Sequence, residues 1–257
     1  MPIAHRVVGS GPRTVLLTHG WFGSADGWGS FPDYLDGDAF TWVFTDVRGY
    51  GQRMNESGDQ SLDETAGDLL ALADELGVDR FSVVGHSMGG AVIQKVLALA
   101  PERVESLIGV SPVSSTPTPF DDAGRELFWG AAEDRDKRYG IIDFTTGNRN
   151  TPVFVNAVTD WSLEHSTKEA FANVLEAWAT PDFAQDVRGN EVPVLVLVGE
   201  HDPALGKETC EQTWLQLFPN ARLEVVANAG HYPMFEAPVN LATRIDAFLK
   251  QTGPDTA

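Results

Sequence analysis

The sequence predicts an α/β fold: a mostly parallel central sheet flanked by helices, with a helical cap inserted into it. Three observations predict it. Short β-branched, apolar runs alternate with helical stretches along most of the chain, as in a parallel sheet with crossover helices. The runs are apolar nearly throughout, as strands covered on both faces are. One stretch, from about Thr116 to Val187, breaks the alternation and carries amphipathic segments instead. A chain of 257 residues is long enough for one core domain, expected at 1–115 and 188–257, with the cap at 116–187.

The elements follow in order. Thr14–Thr18 and Thr41–Thr45 read as buried strands, preceded by Gly9–Arg13 (GSGPR), which reads as a hairpin turn. Leu62–Leu76 places Leu62, Ala66, Leu69, Leu70 and Ala73 on one helical face, and Gly77 follows as a C-terminal cap. Phe81–Val84 is a strand, and Met88–Ala100 is a helix apolar nearly all round that ends before Pro101. Ser106–Val110 is the next strand. The Pro-rich run Ser114–Pro119 then opens the cap, which is dense in aromatic residues. Val194–Val198 and Leu223–Val226 complete the strands, with helices at Thr209–Phe218 and Val239–Leu249.

Composition narrows the function. With 18 basic and 37 acidic residues the formal charge is −19, a field that repels phosphates, so nucleic acid and anionic membrane surfaces are poor partners. No apolar run approaches the length of a membrane span. The first residues lack the apolar stretch of a secretory signal, so a cytoplasmic location is expected. The single Cys210 excludes an internal disulfide and reads as a packing residue. No phosphate loop, HExxH pair or cysteine cluster is present, so no cofactor or metal is expected.

The strongest chemical signal is Gly85-His86-Ser87-Met88-Gly89, between the FSVV strand and the helix that opens at Met88. A strand–turn–helix this tight needs glycines two residues on either side of its centre, and it projects the serine hydroxyl above the sheet edge. Ser87 is therefore the expected nucleophile. The helix N-terminus places the Met88 N–H beside the reacting carbon. A serine needs a base. Of the six histidines, His231 in Asn228–Pro233 lies just beyond the last strand, at the carboxyl edge where it can meet Ser87. His86 reads as a packing or hydrogen-bonding residue, and His165 falls in the cap. The base needs an acid. Asp202, in Gly199–Asp202 after the Val194–Val198 strand, precedes His231 by 29 residues, with Glu200 as its rival. A developing oxyanion needs two donors. Met88 N–H is one. The other is assigned to Trp21, with Phe22 as the alternative, in the loop His19-Gly20-Trp21-Phe22-Gly23.

The motifs HGWFGS, DVRGYG, GHSMGG, GEHD and GHYPM, in this order and spacing, resemble the α/β-hydrolase superfamily, specifically its small capped esterases, lactonases, carbon–carbon bond hydrolases and perhydrolases. The resemblance covers the chain outside the cap. It implies the catalytic residues Ser87, Asp202 and His231 and the donors Trp21 and Met88, and it makes Arg48 architectural. The serine at the elbow separates the chain from the dehalogenases and epoxide hydrolases of this fold, which carry aspartate there. Tyr232 after His231 departs from the tryptophan common in ring-cleavage hydrolases.

The expectation is a serine hydrolase of esters or lactones with a modest, largely apolar small-molecule substrate. Carbon–carbon hydrolysis, cofactor-free perhydrolysis and a slow-turnover receptor stand as alternatives. Phe22, Phe128, Trp129, Phe154, Trp161, Trp178 and Tyr232 are the candidate pocket residues.

Overall fold

The computed structural model describes residues 2–252. Among them, seven strands form one sheet in the order β1-β3-β2-β4-β5-β6-β7. These are β1 (His5–Val8), β2 (Arg13–Thr18), β3 (Phe40–Thr45), β4 (Phe81–His86), β5 (Val104–Val110), β6 (Val194–Gly199) and β7 (Ala221–Val226). Every neighbouring pair is parallel except β1 with β3. The central strands bury both faces: Leu16, Val83, Ile108 and Leu195 are all inaccessible to solvent. A parallel pair cannot be closed by a tight turn, so each connection must cross over, mostly through a helix.

The edge strand β1 corrects the sequence reading. His5–Val8 was not expected as a strand, and Gly9–Arg13 is not a hairpin turn. β1 pairs with β3, and β2 lies on the far side of β3. The link must therefore cross the start of β3 at close quarters. Gly9 has φ +80°, and a Cβ there would lie 2.5 Å from Gly37 Cα. A Cβ on Gly11 would lie 2.2 Å from the Ala39 carbonyl carbon. Neither position admits a side chain.

Helix α1 (Leu62–Glu75) begins at Ser61, whose side chain accepts from the Glu64 amide, and Gly77 follows it at φ +66°. It packs on α2 (Met88–Leu99), which lies against β4 and β5. After β6 the expected single helix over Thr209–Phe218 is two: α8 (Lys207–Gln212) and α9 (Trp214–Leu217). Thr213 breaks them with φ −116° and ψ −80°, while its hydroxyl bonds back to the Thr209 carbonyl at 2.8 Å. Short α10 (Pro233–Glu236) and α11 (Pro238–Thr252) close the fold, α11 packing on β5 and the turn at Phe31–Tyr34.

Between β5 and β6 the chain runs through α3 (Asp122–Gly130), α4 (Arg135–Thr145), α5 (Pro152–Glu164), α6 (Lys168–Ala179) and α7 (Ala184–Val187). Four of these start at an Asp or Thr that caps the first turn: Asp121, Asp134, Thr151 and Thr167. The buried Arg138 ties them together. Its Nε donates to Ala131 O at 2.9 Å and Nη1 to Ser162 Oγ at 3.2 Å, and its guanidinium lies 3.5 Å from the Phe171 ring centroid.

Candidate active site

Strands β2, β4, β6 and β7 all end on one edge of the sheet, and the loops that leave them carry Trp21, Ser87, Asp202 and His231. In a parallel α/β sheet this carboxyl edge is where ligands bind. Ser87 follows β4 directly, with φ 52° and ψ −117°. The surroundings hold this strained conformation. Ser87 N–H donates to Val110 O at 3.0 Å, and Ser87 O accepts from Gly90 N at 2.8 Å and Val113 N at 2.9 Å. A Cβ on Gly85 would sit 2.2 Å from Gly89 O, and one on Gly89 2.7 Å from Thr18 O. The glycines at these two positions let strand, turn and helix meet.

The three residues expected to act together converge. Ser87 Oγ donates to His231 Nε2 at 2.9 Å, and His231 Nδ1 donates to Asp202 Oδ2 at 2.7 Å. Asp202 Oδ1 accepts from the amides of Ala204 and Leu205, each at 3.0 Å. Burial alone would raise the Asp202 pKa. The charge and hydrogen bond of His231, with those two amides, outweigh it and hold the carboxyl below its ordinary value. Asp202 thus stays ionised and fixes the histidine's tautomer. The rival Glu200 instead accepts from the Asn228 amide at 2.9 Å.

The other histidines serve the framework. His86 is buried, and its Nε2 donates to the carbonyl of His231 at 2.9 Å. Burial first, then the neighbouring His231, pushes its pKa down to about 3. His19 accepts the Val47 amide at Nε2 (3.2 Å) and donates from Nδ1 to Gly20 O (2.8 Å), so it is neutral. His165 stacks on Trp161 at 3.8 Å. Arg48 pairs with Asp68 at 2.8 Å and Glu64 at 3.0 Å, an architectural role. Asp46, at the start of its turn, accepts from Ala25 N at 2.7 Å and Gln52 N at 3.0 Å and so ties that turn to the loop after β2.

Trp21, in this loop, is buried and stacked on Phe171 at 4.2 Å, with its indole N–H donating to Phe171 O at 2.8 Å. Met88 opens α2 immediately after Ser87. A Cβ on Gly20, the residue before Trp21, would lie 3.0 Å from Ser87 Cβ, and Trp21 lines the same cavity as Ser87.

The space at Ser87 is a cavity of about 90 Å³ whose walls include Trp21, Phe22, Phe128, Trp178, His231 and Tyr232. Three expected pocket residues lie elsewhere. Phe154 and Trp161 line a second cavity of about 240 Å³, which shares only Phe22 and Tyr232 with the first. Trp129 lines neither. Its indole N–H donates to Glu176, and its ring meets Phe120 edge-on at 5.4 Å. Helical spacing told which faces are apolar, not which cavity they meet.

One residue escaped the sequence reading. Glu236 is nearly buried, and its Oε1 accepts from the amides of Gly230 (2.9 Å) and Tyr232 (3.2 Å), on either side of His231. Its Oε2 accepts from Arg149 (2.8 Å) and Asn150 (3.0 Å), in the stretch between α4 and α5. His231 N–H also donates to Thr145 O at 3.2 Å. The sequence signal was a carboxylate one short turn beyond His231, with Pro233 starting that turn. Among the described residues, no group of three or more His, Cys, Asp or Glu is placed to hold a metal ion, and no helix is long and apolar enough to cross a membrane.

A mostly parallel sheet with these loops along its carboxyl edge defines the class of α/β hydrolases. The chain belongs to the alpha/beta hydrolase fold family, whose family model matches residues 13–238. It is 30% identical over 256 residues to the dihydrolipoyllysine-residue acetyltransferase component of the acetoin cleaving system of Cupriavidus necator, covering 95% of this chain and 64% of that protein. The chain thus spans somewhat under two thirds of that relative. It is 29% identical to a non-heme haloperoxidase of Rhodococcus erythropolis, covering 87% of this chain and 86% of that one. It is 27% identical to the carboxylesterase YbfK of Bacillus subtilis, covering 95% and 83%. Among solved structures, a bromoperoxidase from Bacillus anthracis superposes with TM-score 0.84 at 21% identity, over 96% of this chain and 94% of that one.

Proposed function

We propose that the protein is a serine hydrolase that cleaves a carboxylic ester or lactone of a small, largely apolar substrate. The observation that carries this reading is the hydrogen-bonded chain from Ser87 Oγ through His231 to Asp202, at 2.9 and 2.7 Å. His231 takes the hydroxyl proton as Ser87 attacks the carbonyl carbon, and the tetrahedral oxyanion is held by the amides of Trp21 and Met88. His231 returns the proton to the leaving alcohol. Water then attacks the acyl-enzyme, with His231 again as base, and frees the acid. Asp202 stays ionised and stabilises the imidazolium. Residues 116–187 act as a cap that shapes the substrate space, and a location in the cytoplasm completes the reading.

Perhydrolysis is a second reading, favoured by a relative from Acinetobacter calcoaceticus named as a bifunctional esterase/perhydrolase, 28% identical over 235 residues. There hydrogen peroxide replaces water at the acyl-enzyme, and a peracid leaves in place of the acid.

A steady-state panel of p-nitrophenyl esters and lactones, with the wild type beside Ser87→Ala, tests both. Turnover lost at least about 10⁴-fold in Ser87→Ala supports the serine hydrolase. Turnover that survives within about tenfold overturns it. Peracid formed faster than acid, with peroxide present, decides for perhydrolysis. Wild type stalling after one equivalent of product points instead to a receptor.

A further inference from the structure

The cavity at Ser87 is small. It holds about 90 Å³, whereas pockets that enclose a whole ligand run to roughly 300–1,000 Å³. A substrate must extend beyond it, and two larger spaces adjoin. A groove of about 610 Å³ shares Phe120, Phe128, Ala204 and Leu205, among others, with the cavity at Ser87. The 240 Å³ cavity shares only Phe22 and Tyr232 with it.

Those two rings form a wall. Phe22 is 6% exposed and Tyr232 is 4% exposed. Phe22 is wedged edge-on against Trp21 at 4.8 Å and Phe171 at 5.4 Å. Tyr232 tilts on His86 at 5.5 Å, and its amide is held by Glu236. The chemistry orients the substrate against this wall. His231 must reach the leaving oxygen, and Ala204 and Leu205, whose amides hold Asp202, also wall the groove.

We propose that the leaving group runs into the groove while the acyl group faces Phe22, so that Phe22 and Tyr232 set the acyl-length limit of the reaction and the substrates are esters of short acyl groups on bulkier alcohols. This rests on the serine-hydrolase reading above. The 240 Å³ cavity is the space that a longer acyl chain enters when the wall is opened.

The test is a series of p-nitrophenyl esters from acetate to decanoate, read as kcat/KM. It uses wild type, Phe22→Ala, the smaller truncation Phe22→Leu, and Phe22→Ala combined with Ala157→Trp at the second cavity. Ser87→Ala is the control. One methylene in an apolar pocket is worth about tenfold or more. Wild type is expected to peak between acetate and butyrate. The octanoate-to-acetate ratio should rise at least about tenfold in Phe22→Ala and less in Phe22→Leu, and Ala157→Trp should take the gain back. Each ratio is taken within one preparation, so a partly folded variant does not distort it. Ser87-dependent turnover that peaks at octanoate or beyond in wild type, or a ratio unmoved in both truncations, overturns the limit alone. Wild-type turnover that does not depend on Ser87 overturns the hydrolase reading, and the limit with it.

Discussion

His86 donates a hydrogen bond from Nε2 to the backbone carbonyl of His231, at 2.9 Å. The residue before Ser87 thereby holds the loop that carries His231. The bond uses a protonated Nε2 and a neutral ring, which agrees with the pKa of about 3 that burial imposes.

A pH dependence of stability follows. The unfolded chain protonates its histidine near the ordinary 6.5, whereas the folded His86 does so only near 3. Between those values the unfolded state binds the extra proton. Stability conferred by the neutral ring is therefore full above about pH 6.5 and falls on acidification, by about 1.4 kcal/mol per pH unit. His19, also lowered, acts in the same direction. Urea midpoints at pH 7, 6, 5 and 4 should fall more steeply in wild type than in His86→Gln. Parallel curves would show that the folded protein protonates His86 freely.

Glu236 is expected to act by holding the turn at His231. Glu236→Ala leaves two buried amides without an acceptor, at about 1–3 kcal/mol each. It should lower kcat about 10- to 100-fold with little change in KM. Glu236→Gln keeps an acceptor oxygen for those amides and should recover most of kcat while losing the ion pair with Arg149. If Gln and Ala lower kcat equally, charge and not position is what Glu236 supplies.

The backbone at Ser87 makes a prediction about stability rather than rate. Its φ of 52° is unfavourable for any residue with a Cβ. Ser87→Gly should be more stable than Ser87→Ala by about 1 kcal/mol, after the greater freedom of glycine in the unfolded chain offsets part of the gain. Chemical denaturation of the two variants measures this. Equal midpoints would mean that the turn relaxes once the hydroxyl is gone.

Cys210 is buried, and burial, with the nearby Asp202, pushes its thiol up to about 12. The native protein should not react with a thiol-specific disulfide reagent at pH 8, whereas the denatured chain should release one equivalent. Rapid native reaction would show that the segment at α8 opens in solution.

The parts of the site legible in the sequence share one property. Ser87, Asp202, His231 and Trp21 each follow a short, mainly apolar strand within a few residues, so local pattern alone placed them on one edge. β1 lacked such a signature, because a four-residue, half-buried edge strand has one neighbour and no need of a continuous apolar run. Its partner, β3, is remote in sequence, which is why Gly9–Arg13 read as a local turn. Thr213 was invisible as a break because a threonine is tolerated within a helix, and here its side-chain bond and backbone angles end one. Phe154 and Trp161 were read from composition, but only the packing of α5 on the loop after β2 decides which cavity they meet.

The contacts from Thr145, Arg149 and Asn150 join the segment between β5 and β6 to the turn that carries His231. In the proposed reading, selection of a substrate and placement of the base are therefore not separable modules. Replacing the insertion by one from a relative would carry over its shape but not its grip on this turn. A chimera that binds its new ester well should still turn it over slowly until residues 145–150 are restored. In that reading, divergence of specificity is easiest at walls such as Phe22, and hardest in the few residues that hold the histidine from the other side.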